Sequence, residues 1–290
     1  MPGQGVDGRQ VTEARPGDRA NPAAEAPRHA RTRLVLVSGI AAVTVATLLA
    51  VALLFAPRLP SLAVNSHADA QHYYGDDPTA LALATAVAAG DRERIAQLIA
   101  DGADPNSVGT DYITMAQWAI ESGSPAGLEA LLQAGALRDR LGRAGRAPLH
   151  DAARQADPRY VQILLAAGAD PNVRVAYTGT TALREACLAG REATFETLVA
   201  GGADLEAKDR AGDRALHICA RADTGALVLR LLELGADPTA RNAAGNTFQD
   251  YYFSFNDALL SRAAHRQHVA AAEWLQAHQI PLVPRAERYR

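Results

Sequence analysis

His150 stands directly before Asp151 in the stretch GRAPLHDAARQ, and a histidine beside a carboxylate is a pairing that general base catalysis or metal binding can use. The surrounding phrase recurs along the chain, so this position can be compared with its counterparts. Those counterparts are Gln117, Arg184, His217 and Asp250. Because one chemical role would not be shared by side chains as different as these, the sequence predicts a structural role for His150. We expect its ring to bind a backbone acceptor in the following unit.

Other residues with catalytic or metal-binding chemistry also occupy repeated or isolated positions. Aspartates recur in a GAD turn, where a carboxylate can accept bonds from neighbouring backbone N–H groups; they are Asp104, Asp170, Asp204 and Asp237. His265 and His268 have an i, i+3 spacing that suits metal ligands, but no third ligand accompanies them. The sequence contains no glycine-rich phosphate loop and no nucleophile motif. We therefore predict a non-enzymatic protein without a metal, a cofactor or a small-molecule substrate.

The two cysteines, Cys187 and Cys219, are too few for a disulfide framework. Both fall near the ends of predicted helices in adjacent units. An oxidising compartment would permit a bond, but stacked helices lie about 8–10 Å apart, beyond the usual reach of a disulfide. We expect both residues to act as small buried apolar side chains.

A repeat with a period of 33 or 34 residues must position these side chains. GAD or a near copy of it begins at Gly102, Gly135, Gly168, Gly202 and Gly235. Ahead of each glycine, apolar residues recur at i, i+3 and i+4, as in Val161, Leu164 and Leu165, which predicts a helix with one apolar face. The glycine suits a left-handed helix end. Each unit is predicted as two helices and a loop, and neighbouring units must stack to bury their apolar faces.

The phrases APLHDAA and RALHICA, together with LLAAGADPN and LLELGADPT, resemble the ankyrin-repeat family. The resemblance implies an all-α repeat solenoid of stacked helix-turn-helix units with projecting β-hairpin loops. It covers residues 78–282, as about five repeats and an elaborated C-terminal cap, with a tail at 283–290. Extra residues around 248–266 are assigned to that cap, and a functional insertion is the alternative. Members of the family act mainly as binding surfaces.

The chain before the repeats contains 23 residues without a charge, from Leu34 to Ala56. A helix of that length spans about 35 Å, enough to cross a bilayer core of about 30 Å. Arginines on its N-terminal flank place the N-terminus in the cytoplasm and the repeats in the periplasm. We expect a disordered cytoplasmic tail at 1–33, a transmembrane signal anchor at 34–56 and a linker at 57–77, in a single-pass protein of the cell inner membrane. A cleaved signal peptide is the alternative, and it also exports the repeats.

Basic residues concentrate at positions that face the concave side of an ankyrin stack. The loops before each phrase and the ends of the first helices hold nine basic and four acidic residues, although the net charge of the chain is −3. Arginine and tyrosine often anchor protein interfaces. The candidate partner-binding residues are Arg140, Arg143, Arg146, Arg154, Arg174, Tyr177, Lys208, Arg210, Arg221 and Arg241. They predict a protein partner with an acidic surface, while the near-neutral chain argues against nucleic acid; a solvated basic face is the alternative.

Together these features predict a membrane-tethered scaffold whose repeats lie outside the cytoplasm. Such a scaffold would inhibit or stabilise a partner protein, for example a secreted effector. The alternative is a regulatory or stress-response scaffold on the cytoplasmic side of the membrane, with the topology reversed.

Overall fold

The computed structural model describes residues 66–289, and the regular elements of that part of the chain are helices. The α-helices are α1 (Ser66–Tyr74), α2 (Pro78–Ala89), α3 (Arg92–Ala100), α4 (Met115–Glu121), α5 (Pro125–Gln133), α6 (Pro148–Ala152), α7 (Arg159–Ala166), α8 (Ala182–Ala189), α9 (Glu192–Ala200), α10 (Ala215–Arg221), α11 (Gly225–Glu233), α12 (Phe248–Tyr252) and α13 (Arg262–Ala277). Short 3-10 helices span Thr110–Tyr112, Arg143–Gly145, Asp257–Leu259 and Pro284–Tyr289. Helices α2 to α11 form consecutive pairs, as the repeat predicts.

The helix pairs stack in two layers. The first helix of each pair packs against the first helix of the next pair, from α2 through to α12, and second helices pack along most of the other layer. The predicted apolar stripes face inward: Leu131, Leu164 and Leu198 each have no exposed surface. Burial of one such side chain contributes about 1.5–3 kcal/mol, which no unit could obtain alone. The stacked all-α architecture of the sequence prediction is therefore confirmed.

The position after the first helix is glycine in three of the five units, and Ala156 and Asp223 replace it in the other two. Gly190 ends α8 in the left-handed conformation, with φ 62°, at a position that glycine also fills in other units. Asp223 takes this place after α10 with φ 53°. A left-handed non-glycine residue costs about 1–2 kcal/mol. Here the Asp223 carboxylate lies 2.7 Å from Nε2 of the buried His268 on α13, and this contact offsets the strain by joining the last helix to the repeats.

The expected β-hairpins are not formed as strands in the described part of the chain. One isolated antiparallel bridge joins Val108 and Thr114. Most of the loops close through a single backbone bond of this kind, such as Gly142 N to Arg146 O at 2.9 Å and Asp209 N to Asp213 O at 2.9 Å. The arms that flank each tip are too short to add a second rung, so the loops are tight turns instead of strands.

Both segments that flank the predicted repeats are partly folded against them. The predicted linker at 57–77 contains α1, where Tyr74 is 3% exposed and donates a hydrogen bond to Ile113 O at 3.2 Å. Two aromatic residues at the end of α1, Tyr73 and Tyr74, pack edge-on against Trp118. The predicted tail at 283–290 contains the last 3-10 helix, where Tyr289 is 2% exposed. Burial of these aromatic side chains packs both segments against the repeats.

The predicted tail at 1–33 and the predicted transmembrane anchor at 34–56 lie outside the described residues. Within residues 66–289, the helices are too short or too polar to span a bilayer.

The two cysteines form a disulfide, so the sequence-based expectation of unlinked side chains was wrong. Cys187 on α8 and Cys219 on α10 have Cα atoms 4.8 Å apart and are both fully buried. The expectation used the distance between helix axes. Cα atoms that face each other across a contact of small residues lie much closer than the axes do, and here they fall in the range for a disulfide, about 4.4–6.8 Å.

Candidate protein-binding surface

His150 is buried and acts as part of the scaffold. Its Nε2 lies 3.1 Å from Thr180 O in the loop of the following unit, which requires the proton on Nε2. Its Nδ1 can then accept the Ala147 N–H at 3.2 Å. Burial lowers the pKa of His150 from its usual 6.5, which favours this neutral form. The prediction of a structural histidine with a backbone acceptor in the next unit is confirmed.

Equivalent positions repeat this arrangement with different side chains. His217 Nε2 lies 3.2 Å from Asn246 O, again in the next loop. Gln117 reproduces both bonds with its amide, because Oε1 accepts the Thr114 N–H at 3.1 Å and Nε2 donates to Arg146 O at 3.2 Å. At these three positions the side chain therefore offers an acceptor towards the helix start and a donor towards the next loop. The other two occupants differ, because Asp250 only accepts, from the Thr247 N–H at 2.7 Å, and Arg184 pairs with Glu185 at 3.3 Å.

The other candidate chemical groups are also accounted for by local structure. Each GAD aspartate accepts the backbone N–H two residues later at 2.8–2.9 Å: Asp104 from Asn106, Asp170 from Asn172, Asp204 from Glu206 and Asp237 from Thr239. Of the predicted histidine pair, His268 is fully buried against Asp223 and aromatic rings, whereas His265 is exposed. The residues described here hold no cluster of three or more histidine, cysteine or acidic side chains that could bind a metal.

Four of the predicted partner-binding arginines are paired with carboxylates. Arg143 lies 3.2 Å from Glu121, Arg221 lies 2.8 Å from Asp213, and Arg146 bridges Asp151 at 3.1 Å and Glu185 at 3.6 Å. Arg154 has a longer contact of 3.9 Å with Glu185. Asp151 and Glu185 lie on the first helices, outside the stretches in which charges were counted. The sequence therefore overestimated the free positive charge on this part of the surface.

Three of the four paired arginines, all except Arg221, line a cleft of mixed charge. The cleft has a volume of about 420 Å³, and its lining includes Glu121, Arg143, Arg146, Asp151 and Arg154. It opens beside α6, the inner helix that ends early at Ala152. Each acid of the lining has a basic or amide partner, Glu121 in Arg143 and Asp151 in Arg146 and Gln117.

The remaining basic candidates have no acidic partner within the described residues. We call them the loop row; they are Arg140, Arg174, Lys208, Arg210 and Arg241. All are exposed, and none forms an ion pair with a carboxylate within the described residues. Their guanidinium groups bind backbone carbonyls instead, as Arg140 does to Asn106 O at 2.8 Å and Arg210 to Ala176 O at 3.0 Å. These bonds fix the arginines without neutralising them.

Large apolar side chains are exposed on the same loops. Tyr177, a predicted partner residue, is 73% exposed. The loops also expose Tyr112 at 77% and Leu141 at 46%, which were absent from the predicted set. Tyr112 and the neighbouring Asp111 have φ values of 60° and 58°, a conformation that non-glycine residues rarely adopt and that is often found at functional sites. The signal in the sequence was a tyrosine in a polar loop, where no core is available to bury it.

Comparisons with known proteins find the same kind of repeat that the sequence and the fold indicate. Residues 81–175 match the family model for ankyrin repeats, in three copies. Protein PhlB of Serratia liquefaciens is 44% identical over 147 residues, which cover 50% of this chain and 64% of that protein. SH3 and multiple ankyrin repeat domains protein 2 of Homo sapiens is 31% identical over 159 residues, which cover 53% of this chain and 8% of that protein. The chain thus spans less than two thirds of these relatives.

Among solved structures, the ankyrin repeat domain of Bcl-3, a member of the IkappaB family, superposes with a TM-score of 0.55 and 29% identity. The match covers 58% of this chain and 75% of that chain. Sequence and structure comparisons therefore identify the same repeat.

Proposed function

We propose that this chain, which contains ankyrin repeats, binds an acidic partner protein through the loop row, outside the cytoplasm and anchored to the inner membrane. Ankyrin repeats are generally non-enzymatic modules for protein–protein interaction, and they make this chain a protein-binding scaffold. The acidic partner, the membrane anchor and the exported location are our proposals. Inhibition or stabilisation of a partner, such as a secreted effector, is the narrower form of the same proposal.

The loop row carries the proposal of an acidic partner. Its arginines are held in place by backbone carbonyls, so they lose little conformational freedom when a partner binds. Their charge remains available because no carboxylate of the described chain neutralises them. The exposed rings of Tyr112 and Tyr177 on the same loops supply apolar contact area. Arginine and tyrosine in this combination favour a protein surface with carboxylates around apolar contacts.

Two features support the exported location. The bond between Cys187 and Cys219 is typical of oxidising compartments and rare in the cytosol. Residues 34–56 carry no charge and follow Arg28, Arg31 and Arg33, the pattern of an anchor whose C-terminal side is exported.

Crosslinking in native membranes, followed by mass spectrometry, identifies the partner. Charge reversal then tests the surface, with Arg140→Glu, Arg174→Glu and Arg210→Glu combined. We expect the affinity for the partner to fall at least tenfold, since like charges would then meet across the interface. The matched control combines Arg262→Glu, Arg266→Glu and Arg285→Glu, which makes the same charge change at exposed residues away from the loops. Equal affinities of the two variants, both folded by circular dichroism, would contradict the proposed surface.

An alkaline phosphatase fusion at the C-terminus tests the location. We expect activity in intact cells, because the enzyme requires export to fold with its disulfides. Absence of activity would reject the exported arrangement and favour the cytoplasmic alternative. The partner's own activity and lifetime, measured with and without the full chain, then distinguish inhibition from stabilisation.

A further inference from the structure

Three cations of the loop row meet at one cavity between neighbouring loops. Arg174 lies on the loop between α7 and α8, and Lys208 and Arg210 lie on the loop between α9 and α10. Together they line a surface cavity of about 380 Å³, which we call the cation dish. All three side chains are exposed.

The two arginines of the cation dish are fixed by reciprocal bonds between the loops. Arg174 Nη1 reaches across to Lys208 O and also donates to Gly179 O at 3.1 Å. Arg210 Nη2 reaches back to Ala176 O at 3.0 Å. A guanidinium has five N–H donors, so each arginine keeps several of them for a ligand. The structure gives the Lys208 ammonium no hydrogen bond or ion pair within residues 66–289.

The acidic residue that lines the cation dish uses its carboxylate for contacts away from the cavity. Asp209 Oδ1 accepts the backbone N–H groups of Ala211 and Asp213, both at 2.9 Å. Its Oδ2 lies 3.8 Å from Nε of Arg184, and the side chain is only 10% exposed. The Asp209 charge is therefore directed into the loop, and three positive charges face the cavity.

We propose that the cation dish binds a phosphate group, as inorganic phosphate or as a phosphomonoester of a small molecule. A phosphate carries a charge of about −1.5 to −2 at neutral pH and has three acceptor oxygens, which matches three cationic groups around one cavity. A carboxylate offers a single charge and two oxygens, and would leave two of the three positive charges uncompensated. The planar forks of Arg174 and Arg210 suit oxyanion geometry, while Lys208 contributes a point charge. This site goes beyond the proposed partner binding and does not depend on it.

Isothermal titration calorimetry on the full chain in detergent micelles tests the site, with inorganic phosphate, O-phosphoserine and acetate as probes. We expect phosphate, phosphoserine or both to bind at least tenfold more tightly than acetate. Binding of inorganic phosphate alone assigns the site to the free ion, and binding of phosphoserine assigns it to phosphomonoesters. If acetate binds as tightly as both phosphate probes, or if neither phosphate probe binds, the proposal is overturned.

Variants locate the binding. Lys208→Met removes a cation that has no contact in the fold, and we expect it to weaken phosphate binding about tenfold. Arg174→Gln with Arg210→Gln keeps amide donors towards the neighbouring carbonyls while removing both charges, and we expect binding to be lost. Arg140→Gln and Arg241→Gln are the matched controls on other loops and should bind phosphate like the wild type. Unchanged binding in both Lys208→Met and the double variant would place the phosphate elsewhere. No partner protein is present in this experiment, so its outcome is independent of the crosslinking test.

Discussion

At the scale of single residues, the recurring position that holds His150 makes two hydrogen bonds wherever it is histidine or glutamine. His150 and Gln117 offer the same acceptor towards the start of their helices and the same donor towards the next loop. The variation of residue type along the chain was enough to reject a catalytic histidine from the sequence. The identity of the acceptor, Thr180 O, depends on how one loop lies against the next helix, which the spacing of residues does not determine.

We expect His150→Ala to destabilise the fold by about 1–3 kcal/mol, because it leaves the buried N–H of Ala147 without a partner. The carbonyl of Thr180 loses the bond to the ring but still accepts the Val175 N–H at 2.9 Å. His150→Gln should cost less than about 1 kcal/mol, since Gln117 shows that glutamine can make both bonds. Urea denaturation of the two variants, followed by tryptophan fluorescence, measures the difference. Equal losses of stability in both would mean that packing of the ring, instead of its hydrogen bonds, stabilises this position.

The same histidines predict how stability depends on pH. Burial lowers the pKa of His150 and of His217 below the 6.5 of a free histidine. The unfolded chain therefore binds protons before the folded chain does, and their contribution is complete above about pH 6.5 and is lost as the pH falls towards the folded pKa. We expect the free energy of unfolding to decline below pH 6.5. In the variant with His150→Gln and His217→Gln this decline should be smaller, and an identical slope in both proteins would contradict the assignment.

At the scale of helices, the sequence predicted the two helices of each unit but not what joins particular helices. The i, i+3 and i+4 pattern is a local property, and it located the second helices correctly. The ion pair of Arg146 with Glu185 joins residues from neighbouring units, and its pair with Asp151 involves a helix position outside the counted stretches, so the count along the chain could not balance them. Similarly, helix α1 was not predicted from the sequence. Its end packs through Tyr73 and Tyr74 on Trp118, a contact between residues that are distant in the chain.

The disulfide between α8 and α10 should be a major source of stability for these two units. The linked cysteines are 32 residues apart in sequence, and a loop of that length implies about 3–4 kcal/mol from the restricted unfolded chain. We expect the double variant Cys187→Ala with Cys219→Ala to lose most of this amount in urea denaturation. Wild type unfolded in the presence of reductant provides the comparison. The expectation fails if the double variant and the oxidised wild type have the same midpoint.

At the scale of the whole molecule, the described chain is a row of units in which each contacts mainly its neighbours. The 33-residue period was enough to predict this architecture, because it is a property of the entire sequence. The distribution of charge was only half predictable. The sequence identified the basic loops, whereas the separation into neutralised inner arginines and an unpaired loop row follows from contacts in the folded stack, some within a unit and some between units.

In a one-dimensional stack of units, a destabilising substitution in a central unit should mainly affect the stability of that unit and its neighbours. Leu164 on α7 is fully buried, and Leu164→Ala should cost about 2–5 kcal/mol through lost burial and the cavity that remains. Because stability in such stacks is a sum of unit and interface terms, amide exchange should accelerate most in α5, α7 and α9 and least in α13. Hydrogen exchange with mass spectrometry measures this gradient along the full chain. Leu188→Ala, at a residue that is 53% exposed, is the control and should change little. Uniform acceleration of exchange through α13 would contradict this expectation and show that the units unfold as one cooperative block. The disulfide between α8 and α10 and the contact of Asp223 with His268 would then couple the C-terminal half more tightly than the packing of neighbouring units alone.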